Sequence, residues 1–157
     1  MRIALEVNGS IEELDVEPQQ TLLDLLHANL DLRRTKRVCD VGECGACTIL
    51  VDGLPVYACI LLAISCRDRH VETIEAQAPN GRVHPLQAAL VAADALQCGF
   101  CAPAWTMALK PLLSPESIPA QAEVQTALSG VCCRCGANAQ RIQKAVQGAK
   151  SPSEERS

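Results

Sequence analysis

Apolar and polar residues alternate through RIALEV and again through SIEELD, and the two runs meet at Asn8-Gly9. Alternation turns every second side chain toward a core, as on a half-buried strand. Asn-Gly is a strong two-residue turn signal, because both residues tolerate positive φ. A β-hairpin is predicted. In TLLDLLHANL the period changes: Leu22, Leu25 and Leu26 share one helical face, with Thr21 and Asp24 at capping-box spacing. TILVDGLPVYAC predicts a second hairpin, turning at Asp52-Gly53, and HVETIEA another short strand. Strands, a helix crossing them and further strands form an α+β pattern.

The stretch AQAPNGRVHP (76–85) carries two Pro and a Gly and predicts a linker. Helical segments follow. They are PLQAALVAADAL, then AWTMALKPLL with Pro103 in its first turn, then AQAEVQTALSG with Gly130 as its stop, and NAQRIQKAVQGA with Asn138 as N-cap. SPESIP is a break, and SPSEERS reads as a disordered tail. The expected organisation is a mixed domain over 1–76, a linker over 77–85, a helical domain over 86–150 and a tail over 151–157. No internal repeat is present.

Composition sharpens this picture. Of 157 residues, 48% are apolar, but ten are cysteines and only 2% are aromatic. Such a core must lean on Leu, Val, Ile and Ala, or on something that is not a side chain. The net charge of −4 argues against a nucleic-acid partner, which would need a basic face. No stretch approaches the roughly 20 apolar residues of a membrane span, and the alternating N-terminus does not read as a signal peptide. A cytoplasmic location is expected. In a reducing compartment clustered cysteines bind metal or do redox work more often than they form disulfides.

Five cysteines precede the linker and five follow it. In the first half, Cys39, Cys44 and Cys47 are spaced C-x4-C-x2-C, with Cys59 further on. This is the plant-type spacing for a [2Fe–2S] cluster. One loop offers three thiolates, a fourth arrives from elsewhere, and Gly42 and Gly45 let backbone N–H groups approach the sulfurs. Zinc also accepts four thiolates, but its ribbons pair two short C-x2-4-C knuckles, which this spacing does not do. In the second half, Cys98 and Cys101 (QCGFC) and Cys133 and Cys135 (CCRC) each precede a helical segment. Two helix N-termini aimed at one place would favour an anionic cluster. From spacing alone the four suit zinc, a cluster or a dithiol.

The segments VGECGACTILVDG (41–53), HPLQ (84–87), LQCGFCAP (96–103) and CRC (133–135), in this order, span nearly the whole chain. Together they resemble the small iron–sulfur subunit of the molybdenum hydroxylases, the xanthine dehydrogenase and aldehyde oxidoreductase family. The resemblance implies an N-terminal β-grasp, plant-type ferredoxin domain followed by an all-α four-helix bundle, each with a [2Fe–2S] cluster. It implies that Cys39, Cys44, Cys47 and Cys59 bind the first cluster and Cys98, Cys101, Cys133 and Cys135 the second. It places Gln97 and Cys135 near the pterin of a molybdopterin cofactor on a large partner subunit. A flavin (FAD) subunit or a cytochrome would accept the electrons. Departures from the family pattern are CRCGAN where many members read CRCTGY, with the matching Ile142 one residue late, Cys132 at a commonly apolar position, Ala104 for a frequent Gly, and Arg34 and Val38 for glycines. None removes a ligand, but those after Cys135 bear on the pterin contact.

The remaining candidates have blander readings. Cys66 and Cys132 read as small buried hydrophobes, though Cys132 adjoins Cys133 and could replace it. His27, His70 and His84 are too scattered for a metal site, and His84, before Pro85, fits helix entry. RRTKR (33–37) reads as a solvated face, or else as a dock for an acidic partner or flavin subunit. Trp105 reads as core or subunit interface. No Ser/His/Asp set, catalytic carboxylate pair or phosphate loop is present. The function expected is an electron-transfer subunit of an oxidoreductase complex, with substrate chemistry on another chain. The alternatives are a stand-alone ferredoxin-like carrier and a structural zinc protein.

Overall fold

The computed structural model describes residues 1–77, 83–113, 118–136 and 139–149. The chain begins with the expected hairpin, β1 (Arg2–Val7) and β2 (Ser10–Asp15). Asn8 and Gly9 both have positive φ, 54° and 87°, the combination a tight hairpin turn requires. Helix α1 (Leu22–Ala28) follows, and its capping box forms as the spacing implied: Asp24 N–H donates to Thr21 Oγ1 at 3.1 Å and Thr21 N–H to Asp24 Oδ2 at 3.2 Å. The second hairpin, β3 (Thr48–Val51) and β4 (Leu54–Tyr57), turns at Asp52-Gly53, again with positive φ at both residues. β5 (His70–Glu72) completes a five-stranded mixed sheet of order β2-β1-β5-β3-β4, with β1 and β5 parallel.

α1 lays Leu22, Leu23, Leu25 and Leu26, all fully buried, against Ile3, Leu5 and Val7 of β1 and Ile49 and Val51 of β3. At about 1.5–3 kcal/mol for each buried leucine, this face replaces the aromatic rings the chain lacks. β3 reads TILV and is buried at every position. The sheet alternation explains it: Ile49 and Val51 point to the α1 core, while Leu50 packs with Ile74 and Met107 on the opposite side, where the helical half docks.

The helical half contains α2 (Pro85–Ala92), α3 (Ala102–Leu109), α4 (Gln121–Ser129) and α5 (Ala139–Gly148). α3 is buried from Ala104 to Leu109, because it faces both the sheet and the other helices. Pro103 sits in its first turn, as expected. Leu86 and Leu90 of α2, Val124 of α4 and Ile142, Ala145 and Val146 of α5 close the second core.

Some expectations change. The strand in HVETIEA stops after Glu72, and Ile74–Gln77 is a 3-10 turn that brings Ile74 to Met107. α2 ends at Ala92, short of Leu96, and α3 gives way to a 3-10 turn at Lys110–Leu112. Gly130 does end α4, but at φ −81°, so left-handed backbone is not the reason for glycine there. A Cβ at Gly130 would lie 2.4 Å from Tyr57 Oη, and glycine is needed for that close approach. Asn138, most of the linker and the tail lie outside the described residues. Among the described residues, no helix is long and apolar enough to cross a membrane.

Candidate metal centres

The first centre is built at one end of the β3–β4 hairpin. Cys47 immediately precedes β3, and Cys59 follows β4. The ladder pairs Thr48 with Tyr57, and Ala58 N–H donates to Cys47 O at 3.2 Å. The hairpin thus brings together two cysteines distant in sequence. Both are buried, and their thiols lie close enough to share a hydrogen bond. Cys39 and Cys44 come from the preceding loop, where Asp40, Gly42 and Gly45 all have positive φ (55°, 76° and 67°). This backbone curls its amides inward. The N–H groups of Val41, Cys44 and Glu43 point at Cys39 Sγ and hold its thiol down to about 6. The Cys44 N–H lies 3.5 Å from that sulfur. Burial, with the neighbouring Cys59, pushes Cys47 up to about 12.

The second group comes together in the helical half. Cys98, Cys101, Cys133 and Cys135 wall a small cavity whose lining also includes Gln97 and Trp105. Cys101 is the N-cap of α3, and positive φ at Gly99 and Gly136 turns each short segment back on itself. Cys135 Sγ donates to Cys98 Sγ at 3.4 Å. The Phe100 N–H and then this contact hold Cys98 below the ordinary thiol range, while donating to Cys98 holds Cys135 above it. Burial and then the hydrogen bond to Cys133 push Cys101 up to about 12. Gln97, Cys98 and Cys135 are exposed, so one side of the cavity opens outward.

Both groups suit an iron–sulfur cluster. The first sets Cys47 and Cys59 together beside the Cys39–Cys44 loop with its inward amides, and the second lines one cavity with four cysteines and an indole N–H lacking any hydrogen-bond partner among the described residues (Trp105 Nε1). Among the described residues no three His, Cys, Asp or Glu converge as around a single ion. A two-iron cluster does not require that, since it spreads its thiolates over two irons.

The two loops touch. Cys132 N–H donates to Cys44 O at 2.8 Å, and Cys132 O accepts from Cys101 Sγ at 3.4 Å. Tyr57 Oη donates to Gly130 O at 2.8 Å. A Cβ on Gly45 would lie 1.9 Å from Gly130 O, so this glycine serves the contact as well as the turn. The halves are further joined by an ion pair between Lys110 and Glu72, with Gln77 also donating to Glu72.

Of the residues outside both groups, Cys66 is fully buried, as expected, and burial pushes its thiol up to about 11. Cys132 is a correction: its side chain is exposed and its backbone makes the contacts. No residue-type signal marks a backbone role, which is why spacing missed it. His84 caps α2, its Nδ1 accepting from Leu86 N–H at 3.1 Å. His27 bonds Thr35 O, and in RRTKR only Thr35 is buried. Trp105 is core, as expected, but its place on the cysteine cavity was missed. Its i+4 relation to Cys101 was the available signal.

Comparison with known proteins agrees with this arrangement. Residues 5–63 match the family described as "2Fe-2S iron-sulfur cluster binding domain", and residues 72–147 that described as "[2Fe-2S] binding domain". The chain is 41% identical over 146 residues to the 6-hydroxypseudooxynicotine dehydrogenase complex subunit beta of Paenarthrobacter nicotinovorans, covering 92% of this chain and 91% of that one. It is 38% identical to the aldehyde oxidoreductase iron-sulfur-binding subunit PaoA of Escherichia coli K12, covering 88% of this chain and 67% of the relative. The crystal structure of quinoline 2-oxidoreductase from Pseudomonas putida 86 superposes with a TM-score of 0.85 at 35% identity, covering 93% of this chain and 90% of that one. The chain belongs to the family of small [2Fe–2S] iron–sulfur subunits of the molybdenum hydroxylases.

Proposed function

We propose that this chain is the electron-transfer subunit of a molybdenum hydroxylase complex, with substrate oxidised on a large molybdopterin-binding partner and electrons leaving to a flavin subunit or a cytochrome. The observation that carries this reading is the convergence of the cysteines into two groups joined by the Cys44–Cys132 hydrogen bond. Cys39, Cys44, Cys47 and Cys59 would hold one [2Fe–2S] cluster, and Cys98, Cys101, Cys133 and Cys135 the other. When bound, the two clusters supply one-electron chemistry at potentials set by their surroundings. The chain's own part is to hold the thiolates, aim amides at the sulfurs and fix the distance between the groups. Substrate and acceptor are chosen on other chains.

The finer architecture follows the same reading: a β-grasp ferredoxin domain over 1–76, a linker over 77–85 and a four-helix bundle over 86–150. The exposed edge formed by Gln97 and Cys135 is the side we assign to the pterin of the partner. The burial of α3 from Ala104 to Leu109, the ion pair across the halves and the second cysteine group favour a fixed relay over a stand-alone carrier, which needs one cluster only.

The test uses the complex. Cys98→Ser is expected to remove the helical-half cluster signal and stop turnover with every acceptor. Activity that survives with that signal gone contradicts the wiring.

A further inference from the structure

Trp105 lies one helical turn after Cys101, so the two side chains share a face of α3. Trp105 lines the cavity walled by the four helical-half cysteines. The indole is 2% exposed, and its Nε1 has no hydrogen-bond partner among the described residues. An indole N–H is a donor only, and a buried donor left unpaired is costly. A phenylalanine would fill much of the same space without that cost. Of the buried α3 side chains around it, Ala104, Met107, Ala108 and Leu109 bring no oxygen or nitrogen acceptor and the Thr106 hydroxyl is turned to Ala102 O, whereas the cavity brings four sulfurs beside the exposed Gln97.

We propose that the Trp105 Nε1–H donates a hydrogen bond to a sulfur of the [2Fe–2S] group held by Cys98, Cys101, Cys133 and Cys135, and raises its reduction potential. The inference rests on the ligand assignment above. A hydrogen bond to a cluster sulfur favours the more negative, reduced state, because the donor's positive end stabilises the added electron's charge. The same contact explains a polar-tipped ring in a helix whose other buried side chains, Thr106 apart, are apolar. Trp105 is in this sense a positioning and tuning residue.

The chain has a single tryptophan, so an isotope placed in indole reports on one position. The full chain is loaded anaerobically, reduced with dithionite and studied by pulsed electron paramagnetic resonance with natural and indole-15N tryptophan. The expected result is a nitrogen coupling, altered by the label, on the cluster signal that Cys98→Ser abolishes. Trp105→Phe is expected to remove this coupling and lower the midpoint potential of that signal, with iron content and the other cluster's potential unchanged. The labelling arm needs no variant, so it decides the contact even where Trp105→Phe loads poorly. Two signals with no label-sensitive coupling, or an unshifted potential in a fully loaded Trp105→Phe chain, overturn this proposal and leave the ligand assignment standing. Absence of the helical-half signal from the unsubstituted chain overturns both.

Discussion

Gly45 meets two demands at once, positive φ and backbone-to-backbone contact with Gly130. Alanine there carries about 1–2 kcal/mol for left-handed backbone alone, and its Cβ collides with a carbonyl rather than with a movable side chain. Gly45→Ala is therefore expected to lower the thermal midpoint and weaken the magnetic interaction between the reduced clusters. A variant with both unchanged would show that the loops do not depend on this contact. Cys66 gives the opposite test. It is buried, neutral at physiological pH and remote in role from both groups. Cys66→Ala should cost about 1 kcal/mol through a small cavity and leave iron content intact, as a chemical iron assay would read. At this scale the sequence was informative about which cysteines lie together in the helical half, because motif spacing is a property of residue type. It was silent on Cys132, whose amide and carbonyl do the joining, and on the indole N–H of Trp105, which has no hydrogen-bond partner among the described residues.

The two hairpins and α1 were legible as elements because their signals are local: Asn8-Gly9, Asp52-Gly53 and the Thr21–Asp24 box. The end of β5 was not. HVETIEA has strand chemistry throughout, but Ile74 is turned away to meet Met107 from a helix far along the chain. Tertiary packing outweighed local propensity there. The start of α2 carries a pH prediction. His84 Nδ1 accepts the Leu86 N–H, which requires an unprotonated ring nitrogen, and burial and then the nearby Lys110 hold its pKa below the ordinary 6.5, with Glu72 opposing. The unfolded chain therefore binds a proton before the folded one does. The stability this contributes is complete above about pH 6.5 and is lost as pH falls through the lower folded value. Glu72 acts in the same direction at lower pH: its own desolvation opposes the shift, but Lys110 holds its pKa below 4.5 overall. His84→Asn keeps a cap acceptor and removes the titration. Thermal midpoints measured across mildly acidic pH should fall less steeply in His84→Asn, by a cap's worth of about 1 kcal/mol. Equal slopes would mean that His84 does not titrate with folding.

Across the whole molecule, the order of cysteine motifs is legible in the sequence, and the two matched families cover residues 5–63 and 72–147. What no pattern displayed is how the halves meet. Among the described residues the junction includes Leu50, Ile74 and Met107, the Lys110–Glu72 pair, and the Cys44–Cys132 and Tyr57–Gly130 hydrogen bonds. These are long-range contacts between residues with ordinary local roles. Under the proposed function they matter because electron transfer between two clusters would depend on a fixed separation, which this junction would set. The central claim is that both cysteine groups hold a [2Fe–2S] cluster in one chain. Electron paramagnetic resonance of the anaerobically purified, dithionite-reduced chain, with iron counted in the same sample, tests it most directly. The account predicts two distinct S = 1/2 signals and about four irons per chain, two for each cluster. A single signal with half that iron would contradict it.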